Sequence, residues 1–219
     1  MSYVFMKALE KKAEKYDRGI KLLTLGKLPK IKKWIVEKYL TSADQILDIG
    51  MGTGTFAVLA ASMKKVNVVG IDQSEKMLVV ANRHINEANV QEYVHPMHLA
   101  AVEIDSKFLN ESFDKVIAIL SLSEMYRSEQ DYCFKQIYRV LKAEGQFIIV
   151  DETIPEKWWK KILYFTIRVP LVFLTYLFTN LSTKSLKNIN HRLLESNFII
   201  IDEKKYLLET LSLIRVKKQ

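Results

Sequence analysis

The sequence predicts an α/β fold: a doubly wound, Rossmann-like seven-stranded sheet with strands 1–5 parallel and an antiparallel strand pair at the C-terminus. Three observations carry that expectation. Short aliphatic runs alternate with helical segments between residues 45 and 152, the texture of right-handed βαβ crossovers. A glycine-rich turn, ILDIGMGTGT (46–55), ends the first of those runs. The last two runs, FIIIDEKKY (198–206) and TLSLIRV (210–216), are joined by too few residues for a parallel crossover, so they pair as antiparallel neighbours.

The elements follow in order. Residues 3–18 and 28–40 read as basic amphipathic helices, with Pro29 near the start of the second, where its missing N–H costs nothing. QILDIG (45–50) is a buried strand, and TFAVLAASMKK (55–65) the helix after the glycines. NVVGID (67–72) is the second strand, and SEKMLVVANRHINEA (74–88) a helix that Ser74 caps. EYVHPMHL (92–99) is a third strand and KVIAIL (115–120) a fourth. A helix over 128–142 ends at Gly145, and GQFIIVDE (145–152) is the fifth strand. At 219 residues the chain fits one structural domain. Within it, basic helices over 1–43 cover the site, and the main unit, 44–219, carries an apolar helical insertion at about 154–195.

Composition narrows the functional classes. A hydrophobic share of 49% with 26% charged residues is that of an ordinary folded chain. The single cysteine, Cys133, excludes an internal disulfide framework and fits a reducing cytoplasm. The opening MSYVFMKALEKKAEK turns charged too early for a signal peptide. The net charge of +8 is uneven, with eleven Lys/Arg against five Asp/Glu in residues 1–45. Such asymmetry suits nucleic acid, an anionic membrane surface or an acidic partner. No nucleic-acid-binding signature accompanies it, which disfavours the first. His84, His95, His98 and His191 have no metal-ligand spacing, so no metal site is expected.

Residues 162–179, ILYFTIRVPLVFLTYLFT, approach the length of a membrane span. Arg168 and Pro170 in the middle argue against one. Two short apolar helices joined at Arg168–Pro170 and lying over the cleft fit better. They would form a lid for a bulky apolar acceptor, with extra core or a dimer surface as the alternative.

The chemistry points to the glycines. Ligands of open α/β sheets sit at the carboxyl ends of strands, where both the 48–54 turn and Asp72 fall. Glycine allows positive φ and close approach of a ligand to the backbone. A carboxylate ending the second strand can accept bonds from both hydroxyls of a ribose, and Gly54 to Asp72 is a gap that suits a nucleoside-binding unit. The dinucleotide pattern G-x-G-x-x-G needs glycine at position 55, which is Thr55, and no P-loop Gly-Lys-Ser/Thr follows. A nicotinamide oxidoreductase is therefore disfavoured. A non-catalytic binding protein remains the second alternative.

At this point four ordered blocks carry a resemblance. DIGMGTG (48–54), VVGIDQSEKML (68–78), SFDKVIAIL (112–120) and IYRVLKAEGQFIIVDE (137–152) resemble the class I S-adenosylmethionine-dependent methyltransferases, including the ubiquinone/menaquinone C-methyltransferases. The flanks YDRGIKLLTLGKL, LSLSEMYR and VPLVFLTYLFTNLSTKSLKN are similar to the corrinoid protein-associated methyltransferases. The resemblance implies S-adenosyl-L-methionine as cofactor, S-adenosyl-L-homocysteine as product and the transfer of a methyl group to a small or lipophilic acceptor.

It also implies roles. Gly50, Met51, Gly52 and Gly54 would lie under the methionyl part, with Asp48 holding its ammonium. Asp72 would bind the ribose, and Gln73 and Met77 would flank the adenine. Leu120 and Ser121 would sit near the reactive methyl, and Tyr16 would close over the cofactor. Ala101 and Val102 stand where the family often has an acid beside the adenine. Transfer from a sulfonium needs chiefly alignment, so no catalytic dyad is required. Should the acceptor have to lose a proton, Glu124, Tyr126, Asp151 and Glu152 at the ends of strands four and five are the candidate groups. The expected setting is cytoplasmic, with peripheral membrane contact and corrinoid-protein association as further partners.

Overall fold

The structure, a computed structural model, describes residues 13–166 and 185–219. Its strands are β1 (Gln45–Ile49), β2 (Asn67–Asp72), β3 (Val94–His98), β4 (Phe113–Ile119), β5 (Leu141–Glu152), β6 (Phe198–Tyr206) and β7 (Leu211–Lys218). They form one sheet in the order β3-β2-β1-β4-β5-β7-β6. Strands β1 to β5 pair in parallel, and β7 lies antiparallel between β5 and β6. The chain winds outward from β1 to β3, then restarts at β4 on the other side of β1. That reversal opens a crevice at the carboxyl ends of β1 and β4.

The helices used below are α1 (Ala13–Leu23), α2 (Lys27–Tyr39), α3 (Thr55–Lys64), α4 (Glu75–Glu87), α5 (Arg127–Val140) and α6 (Ile189–Glu195), besides a short turn of helix at Ile104–Lys107 and a helical segment over 158–166. Central strands buried on both faces read as continuous aliphatic runs, which is why Ile46, Leu47 and Ile49 are fully covered. One face packs Ile31, Ile35, Phe56 and Ala60 of α2 and α3 on Ile46, Val68 and Ile117. The other packs Phe134 and Ile137 of α5 and Leu193 of α6 on Leu47, Val116 and Phe147. Outside the first layer, Ala13 and Tyr16 of α1 rest on Met77 and Val80 of α4.

Most expected boundaries stand within a residue or two. The helix expected over 3–18 is described only from residue 13. Gly145 does not terminate a helix. α5 already ends at Val140, and the chain passes straight into β5 at Leu141. Glu144 takes the left-handed conformation (φ 60°), and Gly145 lies where a Cβ would come within 2.8 Å of the Lys142 carbonyl. Within 162–179 the chain is helical from 158 through 166, and the join expected at Arg168–Pro170 lies outside the described residues. Among the described residues no helix is long and apolar enough to cross a membrane.

Candidate active site

Two adjoining cavities lie in the crevice. One, of about 60 Å³, is lined by Tyr16, Gly50, Gly52, Asp72, Ser74, Met77, Ile119, Leu120, Ser121 and Glu124. The other, of about 40 Å³, adds Asp17, Lys32, Asp48, Met51, Thr53 and Thr55. Such volumes hold a few waters, not a nucleoside. The site is drawn closed, and Tyr16 of α1 borders both spaces.

The glycine turn is tied back to the sheet. The amides of Gly50 and Met51 both donate to the Ile71 carbonyl, at 2.8 and 3.0 Å. Gly50 (φ 69°) has no room for a side chain, since a Cβ would fall 2.5 Å from that of Ser121. At Gly52 (φ 57°) a Cβ would meet nothing within 4 Å, so its backbone faces open space. Its amide donates to Asp72 Oδ2 at 2.8 Å, while Ser74 N donates to Oδ1 at 2.9 Å. Burial raises the Asp72 carboxyl against the pull of these two bonds. Each oxygen keeps a lone pair for a further donor.

Asp48 is buried at the end of β1, and its Oδ2 has no hydrogen-bond partner among the described residues. Burial raises this carboxyl, and the nearby Lys32 ammonium opposes that rise. Lys32 comes from α2 and donates to Thr55 Oγ1 at 2.6 Å. Burial lowers its own affinity for the proton, with Asp48 and Asp17 working the other way. Asp17 accepts from Thr53 Oγ1 at 2.9 Å. The turn thus meets one basic and two acidic groups at once. Sequence reasoning missed Lys32 and Asp17, because the five lysines of 27–38 look alike in a basic helix. The available signal was position: Lys32 follows Leu28 by four residues, on the face that Leu28 buries.

The far wall is the end of β4. Leu120 adopts φ 55°, a costly conformation for a non-glycine residue and one that recurs at functional sites. Ser121 Oγ donates to the Ile49 carbonyl at 2.8 Å. Glu124 closes a 3₁₀ turn, Leu122–Glu124, that is held from several sides. Asp151 Oδ2 accepts from Ser123 N at 3.0 Å. Gln130 Nε2 donates to the Leu122 and Met125 carbonyls. Arg192 Nη1 of α6 donates to Gln130 Oε1 at 2.6 Å. Burial pushes Glu124 up to about 8, with Asp151, Asp72 and Glu152 adding repulsion. Asp151 is lifted to about 6 by burial, against the Ser123 bonds.

The sequence-derived candidates therefore divide. Tyr16, Asp48, Gly50, Met51, Gly52, Asp72, Met77, Leu120, Ser121 and Glu124 line the two cavities. Gly54 instead caps α3 at φ 73°, against Ala81. Gln73 is exposed and offers its carbonyl to the His98 ring. Ala101 and Val102 lie in a 3₁₀ turn outside both linings. Tyr126 is 46% exposed and precedes α5. Neither Tyr126 nor Glu152 borders the cavities. His84 is a structural partner, its Nδ1 2.8 Å from the Thr53 carbonyl. Among the described residues no group of metal ligands forms.

The donor set suits a zwitterionic nucleoside. A buried carboxylate oxygen without a partner calls for a cation or N–H donor, Lys32 supplies the complementary cation beside it, and Asp72 ends the neighbouring strand.

Comparison with known proteins gives the same direction. A family model described as "Methyltransferase domain" matches residues 46–145. The demethylmenaquinone methyltransferase of Listeria monocytogenes is 30% identical over 177 residues, covering 75% of this chain and 70% of the relative. That of Thermotoga maritima is 26% identical over 178 residues, covering 80% and 73%. That of Lactobacillus johnsonii is 30% identical over 146 residues, and the match spans only 58% of its length. Among solved structures, a geranyl diphosphate methyltransferase in complex with S-adenosylmethionine superposes with a TM-score of 0.67 at 14% identity, over 86% of this chain and 84% of that one. An S-adenosylmethionine-dependent methyltransferase from Methanosarcina mazei gives 0.64 at 22%, over 84% and 96%. The last two likenesses concern the fold.

Proposed function

We infer the acceptor and the residue roles from the family, for the chain belongs to the class I S-adenosylmethionine-dependent methyltransferases. Its acceptor is a lipophilic ring compound of the quinone class in its reduced, electron-rich form. The relatives named for demethylmenaquinone support this class, and Glu124 is the observation that carries it. Its carboxyl borders the same cavity as the glycine turn, and no described residue gives it a hydrogen bond. A half-buried carboxyl that faces the cavity and takes no hydrogen bond from a described residue is placed to serve if the acceptor must lose a proton.

When bound, the cofactor supplies a methyl group already activated by its sulfonium. The protein's part is to hold and align. Asp48 takes the ammonium and Lys32 the carboxylate of the methionyl group. Asp72 accepts from the ribose, Gly52 leaves room for it, and Met77 lies against the base. Tyr16 covers the assembly. Methylation of a ring carbon would exchange the methyl's bond to sulfur for a C–C bond, leaving the thioether product S-adenosyl-L-homocysteine, and would expel a ring proton, which Glu124 would accept. Asp151 and Gln130 fix the turn that aims Glu124; Tyr126 and Glu152 lie outside the cavity and are weaker candidates for that task. A cytoplasmic protein reaching its acceptor at a membrane surface fits this reading. The alternative partner, a corrinoid protein, has the support of the flanking sequence blocks alone.

Incubation with methyl-labelled cofactor and detergent-dispersed demethylmenaquinol tests the reading, with a membrane lipid extract run in parallel. Label should enter the lipid-soluble fraction and depend on Glu124. A protein that binds the cofactor yet labels only water-soluble metabolites would refute the acceptor class.

A further inference from the structure

Soluble helices turn their apolar stripe inward. The segment 158–166 does the reverse. Its inner side is anchored by Lys160, paired with Glu209, and by Tyr164, which is buried and bonded to Ser185. These two positions are four apart, on one side of the helix. The opposite arc presents Trp158 at 74% exposure, Ile162 at 60%, Phe165 at 47% and Trp159 at 46%. Residues 158, 162 and 165 stack one above another at helical spacing, and 159 widens the stripe. Exposed Lys157 and Lys161 flank it. Neither side-chain ammonium forms a hydrogen bond or ion pair with a described residue.

We propose that this face is a docking surface for an anionic lipid bilayer, on which the helix lies flat with its tryptophans at headgroup depth. Paired indoles and bulky aliphatics on one side, bordered by lysines, are the composition of an interfacial helix. Charge selects the occupant. Against a second copy of this chain, Lys157 and Lys161 would meet their like on a molecule of net charge +8. Against an anionic surface each lysine is attracted. The helix begins six residues beyond the end of β5, so docking would bring the carboxyl edge of the sheet, where the cavities lie, toward the lipid. The proposal goes beyond the quinone reading, on which only the purpose of docking depends.

The test uses the full chain, sedimented with phosphatidylcholine vesicles and with the same vesicles doped with phosphatidylglycerol. The doped vesicles should bind the protein, bind it less as salt rises, and shift tryptophan emission to the blue. Trp158→Ala/Ile162→Ala and Lys157→Glu/Lys161→Glu should each lower the partition coefficient about tenfold or more, roughly 1.4 kcal/mol. Affinity for S-adenosyl-L-homocysteine should stay unchanged, which shows that the variants fold. Absence of binding to doped vesicles at low salt, or variants that bind like the parent, would overturn the proposal. So would a dimer in light scattering that Trp158→Ala/Ile162→Ala dissolves without any vesicle binding. Labelling of detergent-dispersed acceptor is scored separately, so failure of docking and failure of the acceptor reading remain distinct outcomes.

Discussion

The two walls of the crevice are built on opposite principles. On the β1–β2 side backbone amides set the geometry: Gly50 and Met51 amides return to Ile71, and Asp72 spends one lone pair of each oxygen on Gly52 and Ser74, while Asp48 and Lys32 face the turn. On the β4–β5 side the backbone is strained at Leu120, and no described residue hydrogen-bonds the Glu124 carboxyl, while Asp151, Gln130 and Arg192 hold its turn. On the function proposed above, the first wall holds the cofactor and the second supplies the group that takes a proton. The difference separates binding from chemistry, and substitutions should separate them too.

The largest effect is expected at Glu124. Glu124→Gln should lower kcat by about 10²–10⁴-fold, the usual worth of a general base, with the affinity for S-adenosyl-L-homocysteine in calorimetry unchanged. A loss of affinity as large as the loss of rate would erase the division. On the other wall, Asp72→Ala should weaken binding of both S-adenosyl-L-homocysteine and methylthioadenosine by about tenfold or more, roughly 1.4 kcal/mol. Lys32→Met sharpens the picture within that wall. It should cost about fivefold, near 1 kcal/mol, for S-adenosyl-L-homocysteine and nothing for methylthioadenosine, which has no amino acid group. Equal losses for both ligands would remove Lys32 from the carboxylate site.

The pH dependence gives the smallest and most specific contrast. With its carboxyl held up at about 8, Glu124 is a base only above that pH, so kcat should fall as pH drops below it. The sign for stability is the reverse. The folded form keeps a proton that the unfolded form has already lost, so stability falls as pH rises from the ordinary carboxylate range through about 8. Glu124→Gln should flatten that component, read as a gain in Tm at pH 8 that shrinks at pH 5. A variant with the parent's pH profile would mean another group sets it.

These contrasts track what could be read from the sequence. The alternation of aliphatic runs and helices, Gly50 and Gly52, and the acids at 48 and 72 were legible because backbone geometry and strand ends leave local patterns. Asp17 was not legible, since it reaches the turn from a helix elsewhere in the chain, and Lys32 carried only the signal of its place on the apolar face of its helix. Tyr126 and Glu152 shared their strand-end context with Glu124, and packing alone separated them from the cavity. Gly145 resembled a helix stop, yet the chain turned into β5 before it, with Glu144 taking the left-handed turn.

The sequence by itself determined the parallel sheet, its antiparallel closure and the glycine turn with its strand-end acids, because each depends on periodicity or on residues close together in the chain. The tertiary structure decided which lysine of a basic helix faces Asp48, which strand-end carboxyl borders the cavity, and that the helix after β5 turns its tryptophans outward. Those outcomes depend on the order in which strands assemble and on what each helix meets when it packs, and no local pattern encodes them.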